Sequence, residues 1–258
     1  MSAVWAHDLL REIYLDDATP KPLRSSIRAR LQPVEVDYRG CRMHVHPADN
    51  NTEFQIWKHG RTQEERPLKR ILSRLEGRPV FAFDVGANAG SFATRIAAIA
   101  GAGTQIHAFE PNPIMRARLE KNIDLNGFSS ITVHDCAISN EEGDLSLHIP
   151  DVANFGQARL YQQFDGGRDV PVKVMPLAGF APSDPRRAVD FLKVDIEGFE
   201  DRVIVPYLDT IDAAQHPQMI FFEHKHKALW VYDLDAALAR HGYTMEREFG
   251  RNALFSKA

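Results

Sequence analysis

Cysteine is nearly absent from this chain. Only Cys41 and Cys136 occur among 258 residues, far apart. No disulfide scaffold is available, and a reducing compartment is the expectation. An excess of positive charge is also missing: 31 basic residues meet 35 acidic ones, for a net charge of −4. That balance gives no global field for non-specific nucleic-acid binding, and no nucleic-acid partner is expected. Long hydrophobic runs are lacking too. The least polar stretch, Phe92 to Ala102, is broken by Thr94 and Arg95 and is too short to span a bilayer. The first residues, Met1-Ser-Ala-Val-Trp-Ala-His-Asp, show no basic region followed by an apolar one. The expected location is cytoplasmic. What is present is ordinary: 44% hydrophobic and 26% charged residues exclude wholesale disorder. The length suits one large domain, or a domain with an appendage.

Residues 1–77 and 78–258 read as two parts. In the first, Trp5, Leu9, Leu10 and Ile13 recur at helical spacing. A turn-rich link with Pro20, Pro22 and Pro33 follows. Two alternating runs, Val34/Val36/Tyr38 and Cys41/Met43/Val45, flank Arg39-Gly40 and predict a β-hairpin. His44 and His46 share one face of it and read as exposed. A helix from about Thr62 to Leu75 closes this part, with Leu68, Ile71, Leu72 and Leu75 on one side. Its apolar helices leave room for packing on the chain's own second part or on a second copy, a possible homodimer.

The second part alternates strand and helix. Val80 to Val85 is an apolar run fitting a central parallel strand. Gln105–Phe109, Ile131–His134, Asp190–Asp195 and Met219–Glu223 read as further strands. Helices are predicted over Phe92–Ala100, from the Asn112-Pro113 start to Asn126-Gly127, over Phe199–Leu208, and over Leu229–His241 before Gly242. Phe155–Arg159, Tyr161 and the Gly166-Gly167 turn lie in a long insertion, read as an irregular excursion with a candidate acceptor loop. Tyr243–Phe249 and Ala253–Ser256 around Gly250 predict a closing antiparallel hairpin. Repeated β-α units imply an α/β fold with a doubly wound, mostly parallel sheet.

The first strand runs into Gly86-Ala-Asn88-Ala-Gly90. Small residues here let backbone turn sharply and approach a ligand at the strand's carboxyl end. A dinucleotide loop needs G-x-G-x-x-G, but Asn88 stands at its middle Gly and Gly90 falls one place early. A phosphate-binding P-loop needs Gly-Lys-Ser/Thr, and Gly90 precedes Ser91-Phe92. Asp84 is expected to turn a carboxylate toward the ligand. That charge repels a pyrophosphate and suits the cationic amino acid end of S-adenosylmethionine. Glu110, ending the second strand 20 residues after Gly90, is placed to accept ribose hydroxyl protons. Asp135-Cys136 follows the third strand, beside the expected adenine, with a plain loop acid as the alternative.

These residues resemble a family. Asp84-x-Gly86-Ala-Asn88-x-Gly90, Phe109-Glu110-Pro111 and Lys193-Val-Asp195-Ile-Glu197-Gly198-Phe-Glu200 are similar to FkbM-family S-adenosylmethionine-dependent methyltransferases, over about residues 80–225. The resemblance implies a Rossmann-like class I methyltransferase fold. Here that means a C-terminal antiparallel hairpin on the parallel sheet and an N-terminal α+β cap. It implies O-methylation of a small-molecule hydroxyl on a sugar, glycolipid or polyketide-like natural product. The matching N-terminal signal is Asn51-Thr52-Glu53, with Glu53 read as a contact to the cofactor's amino acid end. The cofactor set is thus Glu53, Asp84, Gly86, Asn88, Gly90, Glu110, Asp135 and Cys136.

An aliphatic hydroxyl is a weak acid, so the acceptor needs a nearby base or a cation. Asp195, closing the fourth strand, is the expected base or ligand to a divalent ion. Lys193 is expected to hold Asp195 ionised or polarise the acceptor. Glu197 and Glu200 begin the next helix, where acids also serve only the dipole. Glu223-His224-Lys-His226 follows the fifth strand. His224 is the second candidate base, and Asp195 and Glu223 with a His are candidate metal ligands. Other readings stay open at this point: N-methylation, an NAD-dependent oxidoreductase, and a non-catalytic cofactor-binding module.

Overall fold

The computed structural model describes residues 3–149 and 167–257. It opens with α1 (Ala3–Leu15) and α2 (Lys21–Arg30). In α1, Leu10 and Tyr14 pack inward, whereas Trp5, Leu9 and Ile13 face out. The predicted proline link is instead α2. Pro20 is extended just before the helix and Pro22 lies in its first turn, where a missing N–H costs nothing. β1 (Val34–Tyr38) and β2 (Cys41–Val45) pair antiparallel around Arg39 and Gly40, both left-handed with φ of 54° and 88°. That turn matches the twist of a two-residue hairpin. His44 and His46 do share a face, with ring centroids 5.1 Å apart, but both are half-buried.

α3 (Asn51–His59) is capped by Asn50, whose side chain accepts from the Glu53 N–H. α4 (Glu65–Leu75) follows. Then come β3 (Phe81–Val85), α5 (Ala93–Ile99), β4 (Gln105–Phe109), α6 (Pro113–Asn126) and β5 (Ile131–His134). The insertion is more regular than its sequence suggested. β6 (Ala137–Ser139), β7 (Gly143–Ile149) and β8 (Arg168–Pro176) form a three-stranded sheet. Leu145, Leu147 and Ile149 alternate in β7, and Val170, Val172 and Val174 in β8. These period-2 faces build a small core with Ala137 and Ile114. Phe155–Tyr161 and Gly166 lie outside the described residues.

β9 (Phe191–Val194), α7 (Glu200–Thr210), β10 (Met219–Glu223), α8 (Leu234–Arg240), β11 (Tyr243–Phe249) and β12 (Asn252–Lys257) complete the chain. α8 is shorter than expected. It starts after Asp233, whose carboxylate accepts from the Ala236 N–H, because the Val231 and Tyr232 N–H groups are held by Asp201 instead.

The main sheet has seven strands in the order β11-β12-β10-β9-β3-β4-β5. β10, β9, β3, β4 and β5 run parallel, and β12 and β11 add the antiparallel hairpin. Strand alternation divides the core. Phe81, Phe83 and Val85, with Leu192, Val194, Ile220 and Phe222, pack against α7 and α8. Ala82, Ile106, Phe191 and Phe221 pack on the other face against α4, α5 and α6. The winding reverses beside β3, between β4 and β9, so a crevice opens at the carboxyl ends of β3 and β9.

Candidate active site

That crevice is a cavity of about 610 Å³, the size of a cofactor pocket. Its wall includes Gly86 to Asn88, Glu110, Cys136 to Ile138, Asp195 and Glu223, with Asn50 to Thr52 and Glu64 from the N-terminal part. Gly86 is left-handed at φ 75°, and a Cβ there would overlap the Asp195 carbonyl oxygen. The glycine therefore lets the β3 loop touch the β9 loop. A Cβ at Gly90 would lie 2.5 Å from Leu119 Cδ1, so Gly90 seats α6 against the loop. Asn88 is also left-handed, at φ 53°. Its Oδ1 accepts from the Ala89 N–H at 2.8 Å and from Asn50 Nδ2 at 3.0 Å. Gly86→Ala is expected to lose about 1–3 kcal/mol of stability through strain and overpacking. Chemical denaturation measures this; unchanged stability would mean the two loops separate without cost.

Asp84 does not line the cavity, contrary to the expectation of a ligand-facing carboxylate. It lies opposite Lys193 in the parallel register of β3 and β9. Its Oδ1 is 3.0 Å from Lys193 Nζ, and its Oδ2 accepts from the Ala93 N–H at 3.1 Å. Lys193 also donates to the carbonyls of Gly86 at 2.7 Å and Val85 at 3.3 Å. Burial opposes its charge, but Asp84 and Asp195 outweigh that and raise its pKa. The ammonium thus ties the glycine loop to β9; it also borders the cavity and favours the ionised form of Asp195.

Glu110 does line the cavity. Its carboxylate accepts from the Asn88 N–H at 2.8 Å and the Asn112 N–H at 2.9 Å. Burial pushes its pKa up to about 7 despite those bonds. Each oxygen keeps a lone pair for a further donor. Cys136 is on the wall, and burial raises its thiol to about 11. Asp135 is exposed and off the wall. Glu53 is fully buried and also off it. Its carboxylate accepts from Arg118 Nη1 at 2.7 Å and the His46 N–H at 3.1 Å. Arg118 binds Asp49 as well, at 2.8 and 3.0 Å. The charge expected to meet the cofactor is spent inside the protein, and Asn51 and Thr52 reach the cavity in its place.

Asp195 opens into the far end of the cavity, its side chain accessible there. Desolvation raises its carboxyl pKa, Glu197 and Asp84 add to that, and Lys193 and Lys225 oppose it. The following loop is left-handed at Glu197 (φ 57°) and Gly198 (φ 112°). Glu200 Oε1 holds it by accepting from the N–H groups of Ile196 at 3.2 Å and Gly198 at 3.0 Å. Glu200 is thus a fastener, as its helix-start position suggested. His224 is not on the wall: its Nε2 lies 3.1 Å from Glu248 Oε1, toward β11. Its ring is thereby turned toward Glu248 and away from the cavity wall. The expected metal set changes too. Ligand atoms of Glu197, Glu223 and His226 lie within 4.8 Å of one another, and Asp195 and His224 are outside that group. Asn50, Glu64 and Arg251, from remote loops, are wall residues that no sequence signal singled out.

A seven-stranded doubly wound sheet with this hairpin, over a cavity at the switch point, defines a Rossmann-like class I methyltransferase fold. Residues 84–245, well over half of the chain, match the Methyltransferase FkbM domain, and the chain belongs to that family. It is 28% identical over 201 residues to 31-O-demethyl-FK506 methyltransferase FkbM of Streptomyces tacrolimicus, covering 64% of this chain and 73% of that one. It is 28% identical over 144 residues to Methyltransferase 1 of Beauveria bassiana, covering 48% of this chain and 57% of that one. A solved methyltransferase FkbM from Methylobacillus flagellatus aligns with 98% of this chain and 58% of its own, at 17% identity and a TM-score of 0.48. Membership of a methyltransferase family decides against the nicotinamide reading.

Proposed function

We propose that this protein methylates a hydroxyl oxygen of a small-molecule acceptor, with S-adenosylmethionine as donor. Sugars, glycolipids and polyketide-like products are the acceptor classes to test first. The observation that carries this reading is the Asp195 carboxylate, open to the cavity directly after β9, while Glu110 lines the cavity beyond β4. Glu110 is assigned to the ribose hydroxyls, using the lone pairs its backbone bonds leave. Asn51, Thr52 and the 86–88 loop border the amino acid end, and Cys136 to Ile138 the adenine. Residues 1–77 act as a cap, bringing Asn50 to Thr52 and Glu64 over the sheet's end. When bound, the donor supplies a sulfonium methyl: the acceptor oxygen's lone pair forms the C–O bond, the C–S bond breaks, and sulfur keeps that pair as a thioether. Asp195 takes the hydroxyl proton. Holding donor and acceptor in line contributes the rest.

The name of the Streptomyces relative, which describes methyltransfer to a 31-O-demethyl compound, supports oxygen over nitrogen. So does the charge at this end of the cavity. Glu64, Asp195, Glu197 and Glu223 would bind an amine but hold it protonated, hence non-nucleophilic. Calorimetric titration tests the donor. Micromolar S-adenosylhomocysteine binding and no NAD binding are expected, with affinity reduced about tenfold or more in Glu110→Gln. Failure of the wild type to bind S-adenosylhomocysteine would overturn the reading, and preferential turnover of amines in an acceptor screen would replace it with N-methylation.

A further inference from the structure

We propose that Glu197, Glu223 and His226 form a site for one divalent transition-metal cation, best matched by Mn²⁺, at the acceptor end of the cavity. Three independent backbone devices converge on it. Glu223 ends β10, where its backbone pairs with Asn252 of β12 just past the buried parallel stretch, so its side chain is held in place. Glu197 is aimed by the two left-handed residues that Glu200 fastens. His226 packs where a Cβ at Gly198 would meet its own Cβ at 3.0 Å, so that glycine admits the imidazole.

The three ligand atoms fall within 4.8 Å of one another, the separation expected around one ion with bonds a little over 2 Å. Two observations separate this group from a solvated acidic patch. The Glu223 Oε2 and His226 Nε2 atoms are buried and make no hydrogen bond. His226 Nε2 faces Glu197 Oε2 at 3.3 Å, an ion-pair contact near enough for shared ligation. Buried polar atoms ordinarily find partners. Moreover, Glu223 and Glu197 are like charges at close quarters, with Asp195 adding a third. Lys193 is engaged by Asp84 and two carbonyls, and Lys225 offsets the Glu223 charge from an exposed position. A divalent ion would place two positive charges at the ligand atoms themselves.

The donor set selects the ion. Two carboxylates suit Mg²⁺ and Mn²⁺, and an imidazole suits transition ions, so Mn²⁺ is the ion common to both preferences. Three protein ligands leave positions open for an acceptor, and Glu197 and Glu223 both line the cavity beside Asp195. Resting on the O-methylation reading, the site narrows the acceptor class. A hydroxyl flanked by a second oxygen, as in a vicinal diol or α-hydroxy carbonyl, chelates the ion through both. Coordination lowers the hydroxyl's pKa, and its proton passes to Asp195.

Direct counting of bound Mn²⁺ tests the site without any activity. The full-length protein, stripped with EDTA and dialysed, is titrated with Mn²⁺ while the free ion is followed by electron paramagnetic resonance. One ion per chain is expected. His226→Ala and Glu223→Gln should each weaken binding roughly 100-fold or more. Glu197→Gln provides a third variant should one of these fail to fold, as judged by near-ultraviolet circular dichroism. Absence of stoichiometric Mn²⁺ binding in the wild type, or binding unchanged in folded variants, overturns the proposal. S-Adenosylhomocysteine affinity, measured on the same samples, reads the donor assignment separately, so its loss leaves the manganese count to decide this site.

Discussion

Replacing Asp195 with Asn should lower turnover by about 100- to 10,000-fold, the usual contribution of a positioned base, while S-adenosylhomocysteine affinity stays near that of the wild type. Asparagine keeps the shape and one acceptor oxygen but cannot take a proton. The substitution should be tolerated by the fold because the side chain faces the cavity and its backbone, not its carboxylate, holds the loop: the Asp195 N–H donates to the Val85 carbonyl at 3.1 Å. The pH profile gives the sharper test. A base must be ionised, so kcat/KM falls as pH drops through its pKa. Desolvation first, then Glu197 and Asp84, raise that pKa against the pull of Lys193 and Lys225. The acidic limb should therefore sit above the ordinary carboxylate range and vanish in Asp195→Asn, leaving a slow, flatter rate. Glu64 and Glu223 titrate beside it and are both shifted upward by burial and by Asp195 itself. A limb that persists unchanged in the variant would therefore belong to one of them. An unchanged maximal rate would remove Asp195 from the chemistry.

The fold was largely legible because periodicity carried it. Apolar runs such as Phe81–Val85 and Phe191–Val194, bounded by turn residues, could be little else than buried parallel strands. The misreadings have specific causes. Pro20 and Pro22 read as link residues although they begin α2, since Pro marks both a turn and a first helical turn. β7 and β8 were hidden because their alternation is half polar and separated by the residues from 150 to 166.

The site was legible where backbone sets function. Gly86, Asn88 and Glu110 belong to contiguous strand-loop units and line the cavity, whereas Gly90 lies off its wall, against Leu119. Side chains whose partners come from distant segments were not legible. Glu53 meets Arg118 across 65 residues, and nothing in Asn51-Thr52-Glu53 reveals that ion pair. His224 and His226 are two apart, and only the path of the chain after β10 sends one to Glu248 and the other to Glu197.

One pairing did leave a signal. β3 and β9 each carry a single charge among otherwise apolar buried residues, Asp84 and Lys193. A buried charge needs an opposite partner, and adjacent parallel strands supply it. Removing one member of such a pair ordinarily costs about 3–5 kcal/mol. Lys193→Met is expected to reach that range. It strands the Asp84 carboxylate with the Ala93 N–H as its remaining bond, and it frees the Val85 and Gly86 carbonyls as well. Asp84→Asn should cost less, because the ammonium keeps both carbonyls. The double variant should lose less than the two single losses combined, since neither charge is then left alone. Denaturation midpoints, with S-adenosylhomocysteine titrations on the folded fraction, separate the two roles of Asp84. If Asp84 is frame, stability falls first, and affinity falls only as the 86–90 loop loosens. If it contacts the ligand, Asp84→Asn loses affinity at unchanged stability and the double variant recovers nothing. The 3.0 Å ion pair behind the loop, with Asp84 off the cavity wall, points to the frame.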